Sequence, residues 1–404
     1  MSDTADIVVI GAGAAGLMAA IWAGRSVQAA GGVPRVVALD GARKIGAKIL
    51  VAGGGRCNVT HHEVDEAQYA GSSRHAIKKV LRRFGVPEAV EFFRALGVEL
   101  KREETGKLFP TTDDAHTVLV ALLRGAAHAG VQIRNPARVT AVERLGQGFR
   151  VRFTTPVEVG PTPGEGELIA SRIVMATGGK SLPRTGSDGL GYELLKLLGH
   201  SITPRVFPAL VPLTLPKEHW ICGLSGLTLP ASLELRSGTG KRLRAFTNST
   251  LCTHFGLSGP GVLDMSRYYT NARFDDPGAG LVMNWLPGET AESMDNLLRG
   301  LGSSTVLRAL SDRLPERLVR AVCEQAGVEA GTTGHTLTRD IRRAVATLIC
   351  ETPLPITGDR GFTFAEVTAG GVPLSEVRLE TMESRICPGL FLCGEVCDVD
   401  GRIG

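Results

Sequence analysis

A strand that breaks directly into a glycine-rich turn is the feature that most constrains this chain. Residues 6–16 read Asp-Ile-Val-Val-Ile-Gly-Ala-Gly-Ala-Ala-Gly, a β-branched run followed by G-x-G-x-x-G. Gly11 permits the sharp turn, Gly13 permits backbone approach to a pyrophosphate, and Gly16 permits close packing of the next helix. That helix directs free N–H groups and a positive dipole end at the anion. The motif therefore predicts a dinucleotide site.

An acidic residue ends the second predicted strand, residues 35–39. Asp40 follows this strand, at roughly the offset of about 20 residues from the last glycine that dinucleotide folds use. A carboxylate there accepts hydrogen bonds from a ribose diol and repels a 2′-phosphate. The combination favours a dinucleotide with an unphosphorylated ribose.

Composition excludes several other classes of protein. With 43% hydrophobic and 21% charged residues, the 404-residue chain is typical of a globular enzyme of two or three domains, and its net charge of +4 permits an anionic partner without requiring one. The eight cysteines form no CxxC pair or zinc-type array, which predicts reduced, mostly buried thiols and no metal site.

One uncharged stretch, residues 7–24, is long enough to suggest a membrane span. Its three turn glycines and the absence of flanking Lys or Arg clusters argue against a lipid-facing helix. Residues 1–4 also lack the basic segment of a signal peptide. We therefore expect a cytoplasmic protein with no membrane partner.

The pattern of strands and helices predicts a split nucleotide domain that carries a two-part insertion. We expect an FAD-binding Rossmann-like domain over 1–203 and 356–404, an inserted β-barrel domain over 204–288 and a helical subdomain over 289–355. Helices are predicted at 74–96, 117–129, 291–301, 304–310, 316–325 and 338–350. Strands are predicted at 138–143, 148–154, 171–175, 231–235, 242–246 and 281–285, with a hairpin turn around 160–166.

Two later segments distinguish FAD from NAD. Ala176-Thr177-Gly178-Gly179 follows a predicted strand and resembles the second dinucleotide contact of two-dinucleotide-fold flavoproteins. Residues 388–395 resemble their third motif, in which an acid after glycine binds a ribityl hydroxyl, with Glu395 where Asp is usual. NAD has no ribityl chain, so this motif favours FAD. Since no second G-x-G-x-x-G is present, NAD(P)H is expected only as a transient reductant.

The chain as a whole resembles the BaiN/RdsA-type family of bacterial FAD flavoproteins, which includes a bile-acid 4,6-reductase, a ribosomal RNA dihydrouridine synthase and an aminoacetone oxidase. The most specific matches are Gly-Gly-Gly-Arg-Cys-Asn at 53–58 and Thr-His-Phe-Gly-Leu-Ser-Gly-Pro at 253–260. Further matches lie at 10–16, 48–50, 107–110, 176–179, 367–372 and 394–401, so the likeness spans nearly the whole chain.

The resemblance implies an α/β fold, a two-dinucleotide-fold (Rossmann-like) FAD domain interrupted by a β-barrel plus helical insertion. Together with the motifs above, it sets the candidate cofactor contacts. These are Gly11, Gly13, Ala14, Ala15, Gly16, Asp40, Lys48, Gly54, Gly55, Arg56, Cys57, Asn58, Val139, Thr177, Gly178, Gly179, Gly394, Glu395 and Gly404.

Two departures from the family pattern affect the cofactor site. Ala47 and Ala52 stand where the family usually has Arg and Ser, which implies fewer polar cofactor contacts. The sequence also stops at 401–404, where the family continues into a Gly-Tyr-Asn stretch and a helix whose N-terminus faces the flavin pyrimidine ring. The expectation is a shortened chain with weakened flavin binding.

Several motif residues have both a chemical and a structural interpretation. Arg56 is a candidate for the pyrophosphate or the flavin face, or a solvated loop charge. Cys57 is a candidate proton donor or redox thiol, or a small packed hydrophobe, and Asn58 is a flavin ligand or a turn cap. His254 is the first candidate for the general acid, with a structural histidine bonded to a backbone carbonyl as the alternative.

The leading hypothesis is an FAD-dependent oxidoreductase that passes a hydride from reduced flavin to a carbonyl-activated C=C bond. The acceptor is either a small-molecule enone or a uracil in ribosomal RNA, giving dihydrouridine. A flavin amine oxidase and a flavin-containing RNA-binding factor remain as alternatives. The basic stretch 74–83 is the one indication of RNA contact, and a solvated helix face is the default interpretation of it. The substrate and the oligomeric state stay open.

Overall fold

A computed structural model describes residues 3–71, 73–156 and 164–403 of the chain. The hairpin turn expected around 160–166 therefore falls largely outside the described residues, as does Gly404, one of the expected cofactor contacts. The chain divides into two compact units. The first unit contains the described residues up to Pro208 together with Val367–Arg402, and the second contains Ala209–Glu366 and Ile403.

Eleven helices are present in the described residues, and the sequence pattern predicts most of them. They are α1 (Ala14–Ala29), α2 (Ala47–Val51), α3 (Arg74–Leu81), α4 (Val86–Ala95), α5 (Ala115–His128), α6 (Leu190–Leu197), α7 (Pro260–Asp275), α8 (Ala291–Arg299), α9 (Val306–Ser311), α10 (Glu316–Ala326) and α11 (Arg339–Cys350).

The strands of the described residues are mostly short, and the longest belong to the two main sheets. They are β1 (Asp3–Ile10), β2 (Val36–Leu39), β3 (Thr60–His61), β4 (Tyr69–Gly71), β5 (Leu100–Arg102), β6 (Lys107–Pro110), β7 (Val131–Arg134), β8 (Arg138–Arg144), β9 (Phe149–Thr155), β10 (Gly164–Met175), β11 (Phe207–Ala209), β12 (Leu213–Thr214), β13 (Thr228–Arg236), β14 (Arg242–Thr253), β15 (Gly256–Ser258), β16 (Gly280–Asn284), β17 (Thr352–Leu354), β18 (Gly358–Asp359), β19 (Val367–Ala369), β20 (Val377–Arg378), β21 (Glu383–Ser384), β22 (Leu390–Leu392) and β23 (Val399–Gly401).

The single helix predicted over 74–96 is wrong in one respect, because it is two helices. Between α3 and α4 the chain passes through Gly85, whose N–H donates to the Glu88 carboxylate at 2.9 Å. Pro87 lies in the first turn of α4, where its missing N–H costs nothing. Glycine, proline and the acidic cap together start a new helix, although the apolar spacing continues across the break.

A mixed sheet, parallel from β22 to β7, organises the first unit. Its strand order is β20-β21-β22-β10-β1-β2-β7, and β1 pairs in parallel with both β10 and β2. Val8 and Val9 in β1 are both fully buried, one in each of two separate apolar cores. A strand segment that is covered on both faces has no polar alternation, which is why residues 7–10 of β1 form a continuous β-branched run.

The second unit is built on an antiparallel sheet with the order β17-β16-β13-β14-β15-β12-β18. A β-barrel is expected in this region. Among the described residues the seven strands pair in one open path, because no pairing joins the end strands β17 and β18. Helix α7 packs against β13 and β14. The sequence pattern does not reveal α7, because Asp264 and Ser266 are buried polar residues that interrupt its apolar face.

Alanine substitutions at the second and third glycines of the turn after β1 should differ in their effect on stability. A Cβ at Gly16 would overlap the carbonyl oxygen of Gly11, whereas a Cβ at Gly13 would have no neighbour within 4 Å. We expect Gly16→Ala to lower the free energy of unfolding of the cofactor-free chain by about 1–3 kcal/mol, the usual cost of overpacking. Gly13→Ala should stay within about 0.5 kcal/mol of the parent. Denaturant melts of both variants provide the measurement, and equal stabilities would contradict the packing role of Gly16.

Candidate functional site

The glycine turn between β1 and α1 leaves space where a ligand can approach. Gly11 has φ +98°, and its N–H donates to the carbonyl of Leu39 at 2.8 Å. A Cβ at Gly11 would lie 2.5 Å from the carbonyl oxygen of Ala176, so this glycine is required for packing. Gly13 faces no neighbouring atom. The turn is thus tight on its inner side and open at the N-terminus of α1.

The carboxylate of Asp40 fastens this turn. Its oxygens accept hydrogen bonds from the N–H of Ala12 at 2.7 Å and the N–H of Ala42 at 2.8 Å. The Asp40 carbonyl accepts from the N–H of Ala137 at 2.6 Å, just before β8, which contains the buried Val139. Because a carboxylate has about four acceptor positions, Asp40 can still accept from a ribose hydroxyl.

The second and third motifs meet the glycine turn. A Cβ at Gly394 would lie 2.7 Å from the Cβ of Ala15, and the Cys393 thiol lies 3.8 Å from the Ala15 carbonyl. A Cβ at Gly179 would overlap the Thr368 hydroxyl and would lie 3.0 Å from the Glu395 carboxylate. The three predicted dinucleotide motifs are therefore brought together within the first unit.

Glu395 is the centre of a hydrogen-bond network. One carboxylate oxygen accepts from the Thr368 N–H at 2.7 Å and from the Ser181 hydroxyl at 2.8 Å, and the other pairs with the Lys48 ammonium at 2.9 Å. Lys48 also donates to Ser181 at 2.6 Å. The Thr368 hydroxyl accepts the backbone N–H groups of Lys180 and Ser181. Sequence reasoning selected Lys48 and Glu395 but missed Ser181 and Thr368. Ser181 lies two residues after the motif at 176–179, and Thr368 lies within the matched segment 367–372.

The second glycine loop directs Arg56 toward acidic partners. Gly53, Gly54 and Gly55 all have positive φ, and a Cβ at Gly54 would meet open space. The Arg56 guanidinium bonds the Glu103 carboxylate at 2.5 Å and stacks 4.0 Å from the centre of the Phe109 ring. The hydrogen bond to Glu103 raises the pKa of Arg56 above its ordinary value. The expected contact of Arg56 with a cofactor stays a prediction, since its charge is already paired.

Cys57 and Asn58 differ in what their surroundings allow. Cys57 is 7% exposed, and burial raises the pKa of its thiol to about 11, so the thiol is protonated near neutral pH. This environment favours a packed side chain over a redox thiolate. The Oδ1 atom of Asn58 is buried and has no hydrogen-bond partner among the described residues, and the Thr177 hydroxyl is in the same position. Buried polar atoms without a partner in the described residues fit a polar ligand.

His254 lies in the second unit, in the tight turn between β14 and β15. Its ring is exposed and meets the Phe255 ring edge-on at 5.1 Å between centres. No hydrogen bond to the imidazole is present among the described residues, so the alternative of a carbonyl-bonded structural histidine gains no support. The assignment of His254 as the general acid remains a prediction.

The basic stretch forms a solvent-facing stripe on and after α3. Lys78 pairs with Glu66 at 2.8 Å, and Arg83 donates to the carbonyl of Glu380 at 2.9 Å. The stripe is exposed at Arg74, His75, Lys79, Arg82 and Arg83.

The described part of the chain contains neither a metal-binding cluster nor a membrane-spanning helix. No group of three or more His, Cys, Asp or Glu side chains there is arranged to hold a metal ion. Among its helices, none is long and apolar enough to cross a membrane.

Comparison with known proteins extends the likeness over the full chain. It is 32% identical over 402 residues to the ribosomal RNA dihydrouridine synthase of Escherichia coli K12, covering 99% of this chain and 93% of that protein. It is 32% identical over 407 residues to the 3-dehydro-bile acid delta(4,6)-reductase of Clostridium scindens, covering 98% and 94%. A solved 3-ketosteroid-delta4-(5alpha)-dehydrogenase from Rhodococcus jostii RHA1 is 16% identical, covers 99% of this chain and 92% of that one, and has a TM-score of 0.49.

The family described as HI0933-like protein Rossmann domain matches residues 5–404. This match spans nearly the whole chain, and the two full-length relatives above are each more than 30% identical to it. The chain therefore belongs to the HI0933-like family.

Proposed function

We propose that this chain is an FAD-dependent oxidoreductase that reduces a carbonyl-activated C=C bond. The observation that carries the proposal is the convergence of three dinucleotide motifs on one turn, in the unit that also contains the Asn58 Oδ1 and the Thr177 hydroxyl, both buried and without a hydrogen-bond partner among the described residues. Both full-length relatives bear the names of enzymes that reduce a C=C bond.

The residues of the first unit fit the parts of FAD. The open turn at Gly13 and the N-terminus of α1 suit the pyrophosphate, and Asp40 suits the adenosine ribose. Glu395 suits a ribityl hydroxyl, with Lys48 balancing its charge. When bound, FAD supplies the hydride that adds to the β-carbon of the acceptor.

The remaining step is the delivery of a proton to the α-carbon. We assign this to His254, since imidazole exchanges protons near neutral pH and the ring has no competing hydrogen bond among the described residues. NAD(P)H is proposed as the transient reductant, because the sequence contains no second G-x-G-x-x-G for a dedicated nicotinamide domain.

The names of the relatives suggest two acceptors, a uracil ring in ribosomal RNA and an enone of a small molecule. RNA has specific support from the exposed cations on and after α3, which suit a phosphate backbone. An RNA acceptor would place the enzyme in the cytoplasm.

The nature of the cofactor gives a direct prediction. We expect the purified chain to carry FAD rather than FMN or NAD, because the Gly13 turn and Asp40 suit the adenosine diphosphate half that FMN lacks. Chromatography of the cofactor released by heat provides the measurement. FMN in the released fraction would contradict the assignment of the first motif.

Removing the Asp40 carboxylate should weaken FAD binding. In Asp40→Ala, the loss of a charge-assisted hydrogen bond is expected to cost about 1.5–3 kcal/mol, roughly 10- to 100-fold in affinity. Titration of FAD into the cofactor-free variant, followed by flavin fluorescence, measures the change.

Asp114→Ala is the matched control for Asp40→Ala. Asp114 also accepts a backbone N–H, from His116 at 2.9 Å, but it caps α5 outside the dinucleotide motifs. The control should lose stability alone and keep its FAD affinity. Equal FAD retention in both variants would count against the ribose assignment.

The proton-donor assignment predicts a selective kinetic defect. We expect His254→Ala to keep normal FAD content and normal flavin reduction by NAD(P)H, while reduction of the acceptor slows about 10²–10⁴-fold, the usual range for general acid–base catalysis. Anaerobic stopped-flow measurement separates the two half-reactions.

His335→Ala is the control, because His335 is another exposed histidine of the second unit and lies outside every motif. It should turn over normally. Loss of FAD in His254→Ala would make this residue structural, and unchanged turnover would transfer the role to another donor, with the protonated Cys57 thiol next in order.

A further inference from the structure

The second unit contains an arginine whose guanidinium lies over two aromatic rings. The guanidinium carbon of Arg360 lies 4.3 Å from the centre of the Phe255 ring and 3.9 Å from the centre of the Phe364 ring. Phe364 is 48% exposed, so the cluster lies at the surface of the unit. We call the arginine and these two rings the Arg360 cluster.

Stacking leaves the edge of the guanidinium available. A guanidinium presents five N–H donors in its plane, and a cation–π contact with a ring does not use them as hydrogen-bond donors. Among the described residues, no carboxylate or carbonyl oxygen accepts a hydrogen bond from the Arg360 side chain, and no ion pair includes it. The fork of Arg360 is therefore available to an acceptor that approaches from outside the described residues.

The backbone around Arg360 is held by its own hydrogen bonds. The Arg360 N–H donates to the carbonyl of Pro212 at 3.1 Å, and the Gly361 N–H donates to the Asp359 carboxylate at 2.7 Å. The N–H of Phe364 then donates to the Gly361 carbonyl at 3.0 Å. This turn carries the arginine and one of its rings together, so the fork is oriented before any ligand binds. Pre-organisation of this kind lowers the entropic cost of binding.

A second donor adjoins the Arg360 cluster. His254 precedes Phe255 in the turn between β14 and β15, and its exposed ring packs edge-on against the Phe255 ring, which also contacts Arg360. The same aromatic ring therefore contacts a cationic fork and an imidazole. This arrangement also accounts for the phenylalanine of the Thr-His-Phe-Gly segment.

We propose that Arg360 is a specificity-determining residue that binds an oxyanion carried by the substrate, a phosphate or a carboxylate. This role rests on the proposed function, because the oxyanion is then a group that the C=C acceptor itself carries. The planar fork matches two oxygens of either anion in a bidentate pair. The exposed face of Phe364 offers a stacking surface for the flat, unsaturated part of the same molecule.

Calorimetric titration of the FAD-loaded chain with paired probes tests the inference. Uridine 5′-monophosphate is compared with uridine, and a Δ4-3-oxo steroid bearing a side-chain carboxylate is compared with its methyl ester, so the two pairs distinguish a phosphate from a carboxylate. The wild-type chain should prefer the charged member of at least one pair. Arg360→Gln should weaken binding of that member about 10- to 100-fold and leave its uncharged counterpart within about twofold.

Arg244→Gln is the matched control. Arg244 is stacked in the same way, 5.2 Å from the Phe246 ring centre and 3.9 Å from that of Tyr268, in the same unit. This variant should bind all four probes as the wild type does. Arg360→Lys keeps the charge without the fork and should lose an intermediate part of the preference.

Three results would overturn the inference. In the first, the wild-type chain prefers neither charged probe at millimolar concentration. In the second, Arg360→Gln weakens the binding of charged and uncharged probes equally. In the third, Arg244→Gln weakens the binding of the charged probe as much as Arg360→Gln does. Where Arg360→Gln melts early by circular dichroism, Phe364→Leu decides instead, because it keeps the charge and should lose several-fold in the preference. Calorimetry needs no turnover, so intact anion binding without C=C reduction would contradict only the proposed function.

Discussion

The ion pair between Lys48 and Glu395 is the interaction on which the proposed cofactor site depends. It joins the segment after the first motif to the last motif of the chain, and the hydroxyl of Ser181 bonds both partners. Thr368 adds a fourth segment through its N–H and its hydroxyl. Four stretches that are far apart in sequence therefore share one carboxylate. Both charged side chains are partly buried, so screening by solvent is reduced and each hydrogen bond counts for more than it would on an open surface.

Much of the first unit was predictable from the sequence, because its signals are local. The run before Gly11 is β-branched throughout since β1 is buried on both faces, and the glycine spacing reflects close approaches of backbone to backbone. Asp40 was selected from the sequence as a ribose contact, which stays a prediction, and its bonds to the N–H groups of Ala12 and Ala42 were not foreseen. A hydrogen bond from a side chain to a loop N–H leaves no periodic trace.

The parts that sequence reasoning missed depend on contacts between distant residues. Ser181 lies in a loop and Thr368 in the short strand β19, and no spacing rule connects them to Glu395. The polar residues Asp264 and Ser266 are buried in α7, so the helix has no clean apolar stripe. Arg56 is paired with Glu103, a residue of the turn between β5 and β6 that no motif includes. In each case, the deciding partner comes from another part of the chain.

The position of β22 has a consequence for how the protein is made. The last residues of β10 pair with β1 on one side and with Leu390–Leu392 on the other, yet the entire second unit lies between them in sequence. During synthesis, the edge at Ile173–Met175 stays unpaired until almost 400 residues have left the ribosome. Such an open edge is a template for aggregation. A nascent chain of this kind depends on rapid completion or on a chaperone that shields one short strand edge.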